Sequence, residues 1–275
     1  FGIPLGVAST FIFVFVLFGA YLEATGAGKF FIDLAYAATG RQRGGPAKAA
    51  VVASAGMGSI SGSAIANVVT TGAFTIPLMK KLGYRPAQAG GIEAAASTGG
   101  QIMPPLMGAG AFLMSEFTQV PYSQIVLISI FPAFLYFGSV YLLVHIAAVK
   151  LGMKGLPASE LPKVREVMAD GWHFLLPLIA LVVFLVVGYS PMRVGFYAVL
   201  SILAAAGLRA FMRFLAEGPS GKAFAAMMVS AAKLNLSALE LGARNAVAVS
   251  MACAVAGIIV GVVGLTGLGL KFSAM

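Results

Sequence analysis

Between Ala49 and Met79 the chain runs for 31 residues without an Asp, Glu, Lys or Arg. A spanning helix needs about 20 apolar residues, so this run is too long for one plain span. Its middle is also a poor single helix, because it holds Gly56, Gly58, Ser59, Ser61, Gly62, Ser63 and Asn67, residue types that favour breaks and caps. Basic residues flank both ends: Arg41, Arg43 and Lys48 before it, Lys80, Lys81 and Arg85 after it. Lys and Arg collect on the cytoplasmic side of a membrane. The segment is therefore expected to enter and leave on one side, as a re-entrant helical hairpin over about residues 46–80, with its polar tip Ser59–Asn67 deep in the bilayer. Irregular backbone survives at that depth only inside protein or beside a water-filled cavity.

The rest of the composition agrees with a lipid environment. Charged residues make up 10% of the 275 and hydrophobic ones 60%, whereas an ordinary soluble domain carries about 25% charge. So few charges do not cover a soluble globule, which excludes a cytosolic enzyme, a disordered chain and a coiled coil. The net charge is +9. The basic residues sit between apolar blocks and form no stripe, which argues against nucleic acid. The single cysteine, Cys253, excludes an internal disulfide and a Cys-based metal cluster. No positively charged leader precedes the first apolar run, and the last residues, Leu270–Met275, follow a Gly-rich break. The chain reads as a fragment of a longer membrane protein.

Read in order, Ile3–Leu22 is an uncharged span ended by Glu23. Gly28–Arg43 repeats apolar residues at helical spacing beside Lys29, Asp33 and Arg41, the pattern of an interfacial linker helix. The hairpin follows. Pro86–Ser115 contains Gly99-Gly100-Gln101-Ile102-Met103-Pro104-Pro105, where neither proline donates to a helix ladder; a broken helix is expected over 86–115. A span covers 121–149 and closes a first repeat, 1–149; a cytoplasmic connector covers 150–171; an incomplete second repeat covers 172–275. That last part holds spans Trp172–Gly188 and Val194–Leu208, an amphipathic helix Gly221–Leu241, and an uncharged run Asn245–Leu270 that starts a second hairpin.

The repeat is visible at a shift of 195 residues: Val52, Ala53, Gly62, Val68, Thr71 and Gly72 fall on Val247, Ala248, Gly257, Val263, Thr266 and Gly267. Internal repeats of this kind, often inverted, typify secondary transporters. The span count returns the chain to the cytoplasm at Arg209, so an inverted second hairpin requires Gly221–Leu241 to cross the membrane despite its charges.

Several stretches carry a family resemblance. Gly44-Gly45-Pro46-Ala47-Lys48, Met57-Gly58-Ser59-Ile60-Ser61-Gly62-Ser63-Ala64, Asn67-Val68-Val69-Thr70-Thr71-Gly72, Ile76-Pro77-Leu78-Met79 and Ser97-Thr98-Gly99-Gly100-Gln101-Ile102-Met103-Pro104-Pro105 resemble the membrane permease of TRAP transporters. Ala252–Ile259 and Leu265–Gly269 do so again. The pattern is closest to the TAXI-type branch, whose permeases often fuse the large and small membrane subunits. The resemblance implies an all-α, multi-span, elevator-type importer in a bacterial or archaeal cytoplasmic (inner) membrane. It implies sodium as coupling ion and no other cofactor. It also implies a periplasmic substrate-binding protein and a small membrane subunit as partners, and a carboxylate or other small organic anion as substrate. One departure is Leu106 after Pro104-Pro105, where many large subunits have serine; no ligand role carries over to it.

Sodium is a hard cation that prefers oxygen, and helix breaks expose carbonyls beside hydroxyl and amide side chains. The candidate ion ligands are Ser59, Ser61, Ser63, Asn67, Thr98, Gly99, Gly100 and Gln101, with Thr266 and Gly267 as repeat partners; the candidate substrate contacts are Thr70, Thr71, Gly72, Pro104 and Pro105. Against this stands the plainer use of small polar residues for close helix packing. Glu93 is the one acid inside a span, open to a cation or proton role or to a packing role near the cytoplasmic end. His145, His173, Tyr21, Tyr36, Tyr122 and Tyr189 read as interfacial belt residues. Proton coupling or a passive channel are alternatives to a sodium-driven carrier. A remoter one is an intramembrane serine protease, with Ser59 or Ser61 as nucleophile and His145 or His173 as base.

Overall fold

A computed structural model describes residues 2–217 and 221–269. Among these residues all regular structure is helical. Helix α1 covers Gly2–Ala24 and carries a π-helical turn at Ala8–Ile12, where the Ser9 and Thr10 hydroxyls donate to the Gly6 carbonyl. Helix α2 is Ala27–Thr39, α3 Gly45–Ser61, α4 Ala64–Lys81, α5 Pro86–Thr98 and α6 Ala109–Thr118. Helix α7 is Tyr122–Lys150, α8 Val164–Gly171, α9 Leu175–Val186, α10 Pro191–Glu217 and α11 Gly221–Thr266.

Five stretches are long and apolar enough to cross a bilayer: Gly2–Ala24, Tyr122–Lys150, Ala158–Val186, Pro191–Met212 and Phe224–Thr266. Their outward faces are apolar. On α7, Ile128, Phe131 and Phe134 are exposed, an arrangement that suits a hydrocarbon solvent and costs heavily in water.

Helices α3 and α4 form the hairpin read from the uncharged run. Pro46 in the first turn of α3 needs no N–H partner there. The helix ends at Gly62, whose φ of 59° suits a residue without Cβ. Ser63 then caps α4 by accepting from the Ala66 N–H at 3.3 Å. The expected break in 86–115 is also present: α5 ends at Thr98, Gly99–Ile102 form a 3-10 turn, and α6 restarts at Ala109.

The core divides into three apolar clusters. The largest joins α1 to the ends of α3 and α7 and to α9 and α10, through Phe15, Phe18, Leu22, Ile60, Leu181 and Val194 among others. A second sits between α3, α5 and α7 around Val51, Ala89, Ala96 and Val144. A third seats α2 on α3 through Ile32, Ala35, Ala49 and Ala53.

The second half departs from expectation. Gly221–Leu241 and the run from Asn245 form one helix, α11, of 46 residues, about 69 Å long at 1.5 Å per residue. Gly257, the repeat partner of Gly62, lies inside it. The reason is local. In the first hairpin a turn at Gly62 is held by packing against the segment after α5, but the outer face of α11, with Val247, Met251 and Leu265 exposed, carries no such partner among the described residues. Without one, the backbone keeps its helical hydrogen bonds. The helix does end at Thr266, with Gly267 at φ 64°. Leu270 and the closing segment Leu270–Met275 lie outside the described residues.

Three aromatic expectations are corrected. Tyr21, Tyr36 and Tyr122 are buried, not interfacial. Tyr21 donates to Asn235 Oδ1 on α11 at 2.9 Å, and Tyr122 to the Pro105 and Leu106 carbonyls at 2.8 and 3.0 Å. Tyr21 and Tyr122 each spend the hydroxyl on another segment, so both serve the core.

Candidate functional site

The hairpin turn is built by contacts that leave no room for side chains. A Cβ on Gly58 would come within 2.4 Å of Gly100 Cα, one on Gly62 within 2.0 Å of the Met107 carbonyl oxygen, and one on Gly19 of α1 within 2.6 Å of the Ile60 carbonyl oxygen. The turn is thus clasped between α1 and the break after α5. There the C-terminal end of α3 meets the N-terminal end of α4, so carbonyl and N–H ends of two helix dipoles face one place.

Around this turn the polar groups fall into two sets. The first faces a cavity of about 320 Å³ between α1, α4 and α11, lined by Ser61, Ser63, Thr70, Glu23 and Asn245 with apolar neighbours. Thr70 donates to Glu23 Oε1 at 3.0 Å, and the Ser61 hydroxyl lies 3.5 Å from the Ser63 carbonyl oxygen. The second set is sealed inside. Asn67, Thr71, Ser54, Thr75, Ser97 and Glu93 are buried. Asn67 Nδ2 donates to the Ser54 carbonyl at 2.9 Å, and a Cβ on Gly100 would lie 3.1 Å from that same nitrogen. Asn67 therefore ties both hairpin arms to the helix break.

Of the expected ion ligands, Ser61 and Ser63 lie at the turn and Asn67 and Gly100 meet beside it, whereas Gly99 faces α7, packed on the Tyr136 ring. Gln101 lies nearby but is exposed; its backbone carbonyl accepts from Gly108 N at 2.7 Å. Ser59 donates to the Gly56 carbonyl at 2.7 Å, and Thr98 is exposed and donates to the Ala94 carbonyl at 2.7 Å; both hydroxyls are spent on their own helix. Thr266 likewise donates to the Val262 carbonyl. With Gly267, it stands about 25 Å further along α11 than the cavity-lining Val249, at 1.5 Å per residue, so the structure does not bring these two residues to the first turn.

The expected substrate contacts are split as well. Thr70 faces the cavity, whereas Thr71 and Gly72 point into the sealed cluster, where a Cβ on Gly72 would lie 3.1 Å from Glu93 Cγ. Pro104 lines a different, apolar cavity of about 520 Å³ against α3 and α7, and Pro105 is held by Tyr122. Sequence reading missed Glu23, Asn245, Ser54, Thr75 and Ser97. A signal existed for part of the set: Asn67, Thr71 and Thr75 recur every four residues, as do Glu93 and Ser97, and such spacing places them on one helix face.

No serine–histidine pair is present among the described residues. Both ring nitrogens of His173 are approached by Arg209, with Nη1 at 2.7 Å from Nε2, and Ser59 and Ser61 bond to backbone. No cluster of His, Cys, Asp and Glu suited to a metal occurs among them either.

Residues 4–275 match the family described as tripartite ATP-independent periplasmic transporter, DctM component. The chain belongs to this family. It is similar to the C4-dicarboxylate TRAP transporter large permease protein DctM of Pseudomonas aeruginosa, 31% identical over 171 residues, which are 62% of this chain and 39% of that protein. It is similar to the 2,3-diketo-L-gulonate TRAP transporter large permease protein YiaN of Escherichia coli, 26% identical over 189 residues, 67% of this chain and 44% of that one. A putative TRAP transporter large permease protein of Haemophilus influenzae is 34% identical over 91 residues, 33% of this chain and 21% of its own length. The matches therefore span less than half of each relative. A TRAP permease is a transport protein and not an enzyme, which disposes of the protease alternative.

Proposed function

We propose that this chain is the hairpin-bearing part of a sodium-coupled, binding-protein-dependent importer of small organic anions, with carboxylates as the substrate class. The observation that carries the reading is the turn at Gly62–Ser63, clasped against the break at Gly99–Ile102, beside a cavity lined by Ser61, Ser63 and Thr70. A sodium ion at the turn would be held by oxygen from Ser61, Ser63 and Asn67 and by carbonyls at the Gly99-Gly100 break. The carboxylate would meet the N-terminal end of α4 and the Thr70 hydroxyl, with no basic side chain between Ala49 and Met79. The relatives named for C4-dicarboxylate and 2,3-diketo-L-gulonate support an anionic substrate.

In this reading the hairpin is re-entrant, α11 belongs to an inverted second repeat, and the hairpin-bearing body moves as an elevator against the remaining spans. Sodium drives the cycle only through different affinity for the two positions. The partners are a periplasmic substrate-binding protein and a small membrane subunit, separate or fused, in the bacterial or archaeal cytoplasmic membrane. The test is uptake of labelled carboxylates by the full-length protein in proteoliposomes, with its binding protein, with and without an inward sodium gradient. Accumulation that needs both is expected. Uptake without the binding protein at channel-like rates would overturn the carrier reading.

A further inference from the structure

Glu93 has no exposed surface, and among the described residues no cation pairs with it. Its carboxyl instead meets four hydroxyls from three helices. Ser54 of α3 approaches Oε1 at 3.4 Å and Ser97 of α5 at 3.0 Å. Thr71 and Thr75 of α4 bond Oε1 and Oε2 directly. Each hydroxyl carries one hydrogen. The two threonines have a second acceptor in reach: Thr71 lies 2.7 Å from the Asn67 carbonyl oxygen and Thr75 lies 3.0 Å from that of Thr71. Rotating those two hydroxyls therefore suits the cage to either state of the carboxyl. Ionised Glu93 receives their hydrogens; neutral Glu93 donates its own while they turn to the backbone.

An ionised carboxylate shut away from water without a counter-charge costs several kcal/mol. The titratable and charged groups on the surrounding elements supply no relief. Lys48 of α3 is held by Gln42 Oε1 at 2.9 Å and lies over the Tyr141 ring. Lys80, Lys81 and Arg85 are exposed at the ends of α4 and α5. On α7, Tyr136 donates to the Ala95 carbonyl and His145 Nδ1 has no partner. On α2, the buried Tyr36 hydroxyl has no partner, and burial holds its phenol above the ordinary value.

We infer that Glu93, with Ser54, Thr71, Thr75 and Ser97, is a proton-binding site whose occupancy is tied to the packing of the hairpin on α5. A proton enters from water as the hairpin opens, neutralising the carboxylate, and is carried while α3, α4 and α5 are closed. On reopening it returns to water, and no other bond changes. Asn67 links this cage to the turn, since Thr71 contacts its Oδ1 at 3.5 Å. The proton site adds to the sodium site proposed at the turn, and coupling through it rests on the carrier reading above.

The test is an infrared pH titration of the full-length protein in lipid nanodiscs, without substrate. A protonated-carboxyl C=O band that shifts in heavy water and vanishes in Glu93→Gln is the expected result. Should that variant fail to fold, Thr75→Val retains the acid, and removing one hydroxyl donor should move the same band. A wild-type protein with no such band, a band unchanged in both variants, or a band erased by sodium at constant pH would overturn the inference. A Glu93 band without any carboxylate uptake would overturn the carrier reading and leave the proton site standing. Where uptake occurs, Glu93→Gln should lose acceleration by an inward proton gradient while keeping its sodium dependence.

Discussion

Asn67 shows how one side chain joins two roles. Its amide reaches the opposite hairpin arm at Ser54 and abuts Gly100 at the break. Asn67→Ala removes that tie, and a lost buried hydrogen bond of this kind costs roughly 1 kcal/mol or somewhat more. We expect Asn67→Ala and Ser61→Ala to raise the sodium concentration needed for half-maximal uptake. Unchanged sodium dependence in both would remove these residues from the ion site. Hydroxyl-bearing residues separate by what they touch, which no single-residue reading supplies. Thr98 and Thr266 spend their hydrogens on the preceding turn of their own helices, whereas Thr71 and Thr75, in the same uncharged run as the tip serines, converge on Glu93.

At the scale of elements, glycines decide where helices can approach. Gly58 and Gly100 let α3 lie on the break with backbone against backbone. Gly58→Ala forces a shift of that contact, and overpacking of this sort costs typically 1–3 kcal/mol. Gly138, inside α7, has open space where a methyl group would stand, with nothing within 4 Å, so Gly138→Ala should gain about 0.5–1 kcal/mol from helix propensity alone. Thermal unfolding of the two variants in one detergent should therefore move in opposite directions; movement in the same direction would mean that the contact between α3 and the break can give way. The hairpin and the broken helix were legible from composition because Gly, Ser and a Pro pair interrupt an apolar run. The junction near Arg244 was not: a charged helix followed by an uncharged one looks like two elements, yet nothing at Gly242–Asn245 compels a break, and α11 runs straight through.

For the whole molecule, the lipid bilayer is the solvent that the outer surface is made for. Phe131 and Phe134 of α7 are exposed, whereas the polar cage of α3, α4 and α5 is buried. A hydrophobic photoprobe dissolved in bilayers should label α7 at Phe131 or Phe134 and spare Ser54, Asn67 and Glu93. Labelling of the cage residues would mean that the packing of α3, α4 and α5 does not persist in lipid. The long uncovered flank of α11 belongs to the same scale, since its apolar residues are exposed over most of its second half.

Hydropathy and residue type alone determined that the chain is helical and lipid-embedded, where its first half breaks, and which motifs tie it to TRAP permeases. Those properties are local, because bilayer thickness and backbone hydrogen bonding act on each segment separately. Tertiary structure decided which polar residues share a space. Glu93 reads in sequence as an acid near a span end; only the packing of α3, α4 and α5 encloses it among hydroxyls contributed from 39 residues before it to 4 after it. Partners so far apart in sequence are chosen by how helix faces meet, and no local pattern records that choice.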